Sequence, residues 1–301
     1  MAEVYEELRP LLFSIAYRML GSASEAEDVV QEAFLRFHQA GKEERIDNPK
    51  AYLATVTTRL SIDQLRSARV RRETYTGTWL PEPLLTEQSP DVAQHAETAD
   101  SLSMAFLVLL ESLSPTERAV FLLREVFDYP YDEIAETIGK TEANTRQLAV
   151  RARRHVDEQR PRFEADKKAR DELAGRFFAA AEEGDTDGLM KLLADDVVMY
   201  GDGGGKGPAI AKPLYGPEKV ARFLLTLVRQ GRRWGISLEP AEVNGGPGAL
   251  ARAADGSIAS VMSIQIADGQ VVSLRSVVNP DKLAHLGPVA DLYELMKSAR
   301  A

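Results

Sequence analysis

Apolar residues recur at helical spacing over residues 5–20, where Leu8, Leu11, Leu12, Ile15, Ala16 and Met19 form one stripe and Gly21 ends it. Ser24 is the expected N-cap of a second helix, with Glu27 as its capping-box acid. That helix buries Val29, Val30, Ala33, Phe34 and Phe37, leaving Asp28, Gln31, Glu32 and Arg36 largely on the other face. A third helix follows Pro49, with Tyr52, Leu53, Val56, Leu60 and Leu65 turned inward and arginines gathered toward its C-terminal end. Residues 1–72 therefore read as a compact all-helical domain.

The periodicity lapses over residues 73–100, where Gly77, Pro81, Pro83 and Pro90 predict an extended linker. A flexible tether gains nothing from large exposed apolar side chains. The stretch Trp79, Leu80, Pro81, Glu82, Pro83 is therefore expected to dock on a folded neighbour, the plainer alternative being a linker that lies against its nearest domain. Helical spacing returns at residue 101. Leu107, Leu110 and Leu113 end one amphipathic helix, and Ser114-Pro115 opens the next, with Glu117 as capping acid and Val120, Phe121, Leu122 and Val126 as its core face.

Residues 131–155 read as two short helices joined by a tight turn. Ile134, Ala135 and Ile138 share a face of the first, Gly139 supplies a positive φ, and Thr141 is placed to cap the second. Leu148 and Val150 are the expected apolar anchors of the second helix, while Arg146, Gln147, Arg151, Arg153 and Arg154 crowd its remaining surface. This is the pattern of a helix-turn-helix whose second helix enters a DNA major groove; the alternative is a helical hairpin with a solvated basic face. Residues 101–160 make a second all-helical domain.

Beyond residue 166 the style changes. Helical patterns at about 168–183 and 185–194 give way to the short alternating stretches DVVMYGD, AEVNGG, GALARAA, SIASVMSIQIADG and QVVSLRSVVN. Glycines and Asp-Gly or Asn-Gly pairs punctuate them at hairpin spacing, most clearly at Asp268-Gly269. Helices followed by a meander predict an α+β domain over 166–301 with a curved antiparallel sheet.

A chain of 301 residues is long enough for two or three domains. No apolar run approaches the ~20 residues needed to span a bilayer, and the acidic N-terminus is unlike a signal peptide, so a cytoplasmic location is expected. The absence of cysteine excludes disulfides and thiolate metal sites. His38, His95, His155 and His285 lack ligand spacing and read as incidental, so neither metal nor cofactor is expected. The net charge of −9 conceals two basic clusters. Arg59, Arg66, Arg69, Arg71 and Arg72 face a single acid, Asp63, and Lys140, Arg146, Arg151, Arg153 and Arg154 face Glu142. Local fields of this kind reach phosphates despite the overall charge, because salt screens distant groups.

Catalysis in the third domain would call for a carboxylate converging with a His or Tyr. Asp195, Asp196, Tyr200, Asp202 and Tyr215 are present, but His285 lies near the tail, and no enzyme activity is expected. The run Asp202, Gly203, Gly204, Gly205, Lys206 departs from the phosphate-loop pattern and reads as a tight glycine turn, with Asp202 and Lys206 free to pair with each other or with the linker.

Taken together, these segments resemble bacterial sigma factors of the extracytoplasmic-function group. SEAEDVVQEAFLRF is similar to the helix that holds the polymerase clamp, NPKAYLATVTTRLSIDQLRSARVRR to the segment that melts and reads the −10 element, and LSPTERAVFLLREVFDYPYDEIAETIGKTEANTRQLAVRARRHV to the domain that reads the −35 element. The third domain resembles the SnoaL-like, NTF2-like cone fold. WLPEP, DGGGK and NPDKL are similar to motifs of a subgroup in which this extension regulates the sigma domains in cis.

The resemblance implies a multidomain protein of two all-α domains, sigma-2 (1–72) and helix-turn-helix sigma-4 (101–160), and an α+β cone domain. Its implied partners are RNA polymerase core and promoter DNA. Asp28, Gln31, Glu32 and Arg36 would meet the core enzyme. Arg59, Arg66, Arg69, Arg71 and Arg72 would hold opened DNA, with Asp63 either accepting from a base edge or pairing with Arg66. Glu142, Asn144, Arg146 and Gln147 would reach base edges and Arg151, Arg153 and Arg154 phosphates, with Glu142 equally suited to the helix dipole. Trp79, Pro81 and Pro83 would dock near Asp202–Lys206 and near Asn279, Pro280, Asp281, Lys282 and Leu283. A monomer is expected, with a small ligand in the cone pocket as a further possibility. Two competing classes are a one-component, ligand-controlled helix-turn-helix regulator and an enzyme carrying a helical targeting module. The complete sigma-2-like segment argues against the first, and the missing acid–base pair against the second.

Overall fold

The computed structural model describes residues 2–43, 45–88, 99–159 and 166–298. The chain divides into two compact units, one of Met1–Thr74 with Ser89–Arg160, the other of Tyr75–Gln88 with Pro161–Ala301. Among the described residues no helix is long and apolar enough to cross a membrane.

The first unit opens with α1 (Ala2–Leu20), α2 (Ala23–Glu43) and α3 (Pro49–Glu73), packed around fully buried Leu12, Ile15, Ala16, Val30, Ala33 and Leu53. Gly21 at φ 67 closes α1 so tightly that α2 begins at once. Its cap is therefore Ser22, whose Oγ accepts from the Glu25 N–H at 3.1 Å, rather than the expected Ser24. Then come α4 (Met104–Leu110), α5 (Pro115–Glu125), α6 (Tyr131–Ile138) and α7 (Glu142–Gln159). Ser114 and Glu117 form the capping box of α5, and Gly139 (φ 65, ψ 42) ends α6 in the left-handed region. Thr141 Oγ1 accepts from the Asn144 N–H at 3.3 Å, which starts α7. Arg118 on α5, buried, donates to the Met19 carbonyl at 2.6 Å and to Glu111 at 2.8 Å, and so ties α5 to the end of α1. Burial pushes its guanidinium down to about 9.

The second unit contains α8 (Lys167–Glu183), α9 (Thr186–Leu192), α10 (Pro217–Arg233) and a six-stranded sheet of order β2-β1-β6-β5-β4-β3. The strands are β1 (Leu193–Asp202), β2 (Leu214–Tyr215), β3 (Ser237–Val243), β4 (Gly246–Arg252), β5 (Ile258–Ala267) and β6 (Gln270–Val277). The expected all-antiparallel meander is corrected at one seam, where β1 and β6 run parallel. They meet only after α10 and the four intervening strands β2 to β5, and that return brings β6 back in the direction of β1. The hairpins after β3 and β5 turn at Asn244-Gly245 and Asp268-Gly269, all four at positive φ, the geometry that suits strand twist. The helix α10 was not anticipated. Phe177, Leu189, Val220, Leu224, Ile264 and Leu274 lie in the core between helices and sheet. The last helices among the described residues are α11 (Pro280–Leu283) and α12 (Leu292–Ser298).

Candidate functional site

The solvent face of α7 carries most of the predicted DNA-reading residues. Helical periodicity buries Thr145, Leu148, Ala149, Ala152 and Val156, which leaves Glu142, Asn144, Arg146, Gln147, Arg151, Arg153 and Arg154 exposed. Val150, expected as an anchor, is 65% exposed, because two residues on from Leu148 places it on the opposite side of the helix. It lies in one row with Gln147 and Arg154, an apolar element of the solvent face rather than of the core. Arg146 is held in place by Glu142 and by the Tyr131 ring, 4.4 Å from its guanidinium to the ring centroid. Arg153 pairs with Glu125, and Arg154 with Glu158 at 3.9 Å.

On α3, Asp63 pairs with Arg66 at 3.0 Å, both exposed. Arg59 is engaged within the same unit. Its Nε donates to the Thr137 carbonyl at 2.8 Å and its Nη2 to the Glu136 carbonyl at 2.9 Å. These are last-turn carbonyls of α6, which carry the negative end of its dipole; that of Glu136 also accepts from the Gly139 N–H at 3.3 Å. Thr55 and Thr137 hydroxyls meet at 3.0 Å beside them. The side chains of Arg69, Arg71 and Arg72 lie outside the described residues.

On α2, Asp28, Gln31 and Arg36 are exposed, and half-buried Glu32 accepts from Arg36 Nε at 2.7 Å. Leu35, 58% exposed, shares the row of Asp28, Gln31 and Glu32. Its signal in the sequence was its place outside the buried stripe.

The structure brings the three remaining motifs together in the second unit. Asp202, at the end of β1 and wholly buried, accepts from the Tyr75 hydroxyl at 2.5 Å, the Leu80 N–H at 2.7 Å and Lys282 Nζ at 2.7 Å. Lys282, itself buried, also donates to the Leu80 carbonyl and lies 4.3 Å from the centroid of the Trp79 ring. Asn279 caps α11 through the Asp281 N–H and donates to the Tyr75 hydroxyl at 2.8 Å. Burial, then the Asp202 carboxylate, raises the Tyr75 phenol above its ordinary range, so it stays a donor. Leu80, Pro81, Glu82 and Pro83 are buried, as is Leu283.

Farther along the linker, Leu84 exchanges hydrogen bonds with Asn244, and Leu85 bridges antiparallel to Val243. His285, read as incidental, donates to the Pro83 carbonyl at 2.9 Å. Asp202 and Lys206 do not pair with each other; Lys206 meets Asp281 at 2.5 Å. The glycines of the loop permit this approach. Gly204 has φ 57, and a Cβ there would collide with Asn279 Nδ2 and lie 2.9 Å from the Tyr75 hydroxyl. Gly204→Ala is therefore expected to weaken docking by about 1–3 kcal/mol, read as faster hydrogen exchange over residues 75–86. Unchanged protection there would show that the loop has room to relax.

Comparison with known proteins follows the same division. The family described as Sigma-70 region 2 matches residues 4–71, and Sigma-70 region 4 matches residues 103–156. The chain is 41% identical to the ECF RNA polymerase sigma factor SigJ of Mycobacterium tuberculosis, over 92% of this chain and 91% of the relative. It is 33% identical to the probable ECF sigma factor SigI of the same species, over 91% and 92%. The crystal structure of M. tuberculosis SigJ superposes with a TM-score of 0.75 at 38% identity, covering 94% of this chain and 98% of that one.

Proposed function

Because the chain belongs to the extracytoplasmic-function RNA polymerase sigma factors, we propose that its C-terminal unit controls, in cis, how its two promoter-reading regions are presented. One observation carries this reading. The segment between the two sigma regions is pinned to the C-terminal unit through the buried Asp202–Lys282 pair and the backbone of Leu80. A linker held at residues 75–86 sets a different reach from a free one, and the two regions must engage −35 and −10 elements together.

In this reading α2 meets the polymerase core through Asp28, Gln31, Glu32 and Arg36, with Leu35 as an apolar centre for the contact. Asn144, Arg146 and Gln147 read base edges, Val150 meets a thymine methyl, and Arg151, Arg153 and Arg154 hold phosphates. Arg59, Arg66, Arg69, Arg71 and Arg72 serve the opened strand, and Arg59 reaches it only after leaving the carbonyls of α6. Glu142 orients Arg146, and Asp63 orients Arg66, rather than reading bases themselves. The protein acts by binding rather than catalysis, as one copy per polymerase, in the cytoplasm where polymerase and promoter meet. A small ligand in the C-terminal unit is the natural input to such control.

The test is transcription in vitro with purified core polymerase, comparing the full chain, a truncation at residue 165 and Trp79→Ala. Trp79→Ala removes a cation–π contact worth about 0.5–2 kcal/mol. It is expected to shift promoter-directed output several-fold toward that of the truncation. Equal transcripts from all three proteins would leave the C-terminal unit no role in initiation. No start site from any of them would remove the promoter reading itself.

A further inference from the structure

The C-terminal unit encloses a cavity of about 470 Å³, within the range of ligand pockets. Its shape follows from side-chain size along one face of the sheet. Toward α8 and α9 that face carries Ile264, Ile266 and Leu274, which fill the core. At the other end the residues shrink to Ala249, Ala251, Ser260 and Ser276, paired across β4, β5 and β6 through Ala249–Met262–Ser276 and Ala251–Ser260. Opposite them stand Phe223 and Leu227 of α10 and Trp234, with Phe223 and Leu227 only partly buried. Large apolar side chains facing small ones across an open volume forfeit contacts that a well-packed core would make.

The fourth side is closed by α12. None of its residues is buried, and Leu292 and Met296, one turn apart, face the cavity. The preceding segment is strapped to the start of β5, with the Ile258 N–H on the Pro288 carbonyl at 2.8 Å and the Ala290 N–H on the Ile258 carbonyl at 2.9 Å. This anchors one end of a helix that turns two apolar side chains toward the cavity.

Building on the small-ligand assignment above, we propose that this cavity binds an uncharged, predominantly apolar molecule carrying one or two polar atoms, with α12 as its cover. The lining dictates the class. The ionic groups at its boundary, Glu182 and Arg232, are half-exposed and exposed and remain hydrated. The uncharged polar groups of the lining are few: the hydroxyls of Ser237, Ser260 and Ser276 on the strands, and on α10 the Gln230 amide and the Thr226 hydroxyl, which already donates to the Arg222 carbonyl. A charged ligand would lose its hydration without gaining a counter-ion.

A matched pair of probes tests this on the full chain. N-phenyl-1-naphthylamine is uncharged, and 8-anilino-1-naphthalenesulfonate is the same ring system with a sulfonate. The neutral probe is expected to bind saturably, to quench Trp234 by energy transfer, and to bind at least tenfold more tightly than the anionic one. Ala251→Phe and, separately, Ser276→Leu fill the cavity and are expected to weaken it at least tenfold, with circular dichroism unchanged. Met296→Ser loosens the cover and is expected to speed release. Equal affinity for both probes, both lost in the filled variants, would keep a ligand site but overturn the uncharged class. Binding indifferent to Ala251→Phe and Ser276→Leu, or no transfer from Trp234, would overturn the site as well. None of these readouts needs polymerase, so a failure of the promoter reading would be seen separately.

Discussion

Asp202→Ala is expected to destabilise the C-terminal unit by about 3–5 kcal/mol and to release residues 75–86 from it, because it leaves Lys282 charged and buried without its carboxylate counter-ion. Three donors converge on this carboxylate: the Tyr75 hydroxyl, the Leu80 N–H and Lys282 Nζ. Alanine satisfies none of them, and each buried donor left without a partner adds its own desolvation cost. The effect is local, so the measurement is hydrogen exchange and limited proteolysis over 75–86 alongside urea unfolding, which in a chain of two units is not a single transition. A double variant, Asp202→Leu with Lys282→Met, separates charge from shape. It removes both ions at once and is expected to recover much of the stability while still lacking the hydrogen bonds that hold Tyr75 and Leu80. Protection of residues 75–86 that survives Asp202→Ala would mean the linker is held by its apolar contacts and the Leu84–Asn244 exchange alone.

Why this pair was not foreseen is physically plain. Asp202 and Lys206 sit at the two ends of one glycine loop, where pairing with each other or with the linker is expected; Asp202 does meet the linker at the Leu80 N–H, but its ionic partner is Lys282. Buried partners are chosen by topology. The parallel seam between β1 and β6 brings the end of β1 beside the start of α11, which places Lys282 next to Asp202 across 80 residues. His285 was passed over for the same reason, since its partner is a carbonyl of a segment 202 residues away. The helical regions were far more legible, because capping residues, glycine stops and apolar stripes are local signals. Where they failed, the failure was local too. Val150 was counted as an anchor by composition, although the period set by Leu148, Ala152 and Val156 puts it outside. The missed α10 has clear spacing in Val220, Ala221 and Leu224 and a Gly-Pro start at 216–217, but it lies between stretches of alternating strand pattern.

Gln147→Ala on the exposed face of α7 is expected to lower transcription from the cognate promoter about 10- to 100-fold and to relax the sequence requirement at one −35 position, since a base-edge contact contributes about 1–3 kcal/mol. Arg151→Ala, one turn on and equally exposed, is expected to weaken binding on all sequences alike and to reduce the dependence of log affinity on log salt by about one unit. The contrast matters more than either loss. Both side chains are polar and exposed, outside the buried set Leu148, Ala152 and Val156 of α7, so a folding defect would not divide them into specificity and affinity effects. Co-elution with core polymerase checks that neither variant acts through loss of core binding. If Gln147→Ala weakened binding uniformly across promoter variants, Gln147 would hold phosphate, and base reading would shift to Asn144, Arg146 and Val150. Arg146 is the natural heir to that role, because Glu142 and the Tyr131 ring already hold its guanidinium in one orientation before DNA arrives.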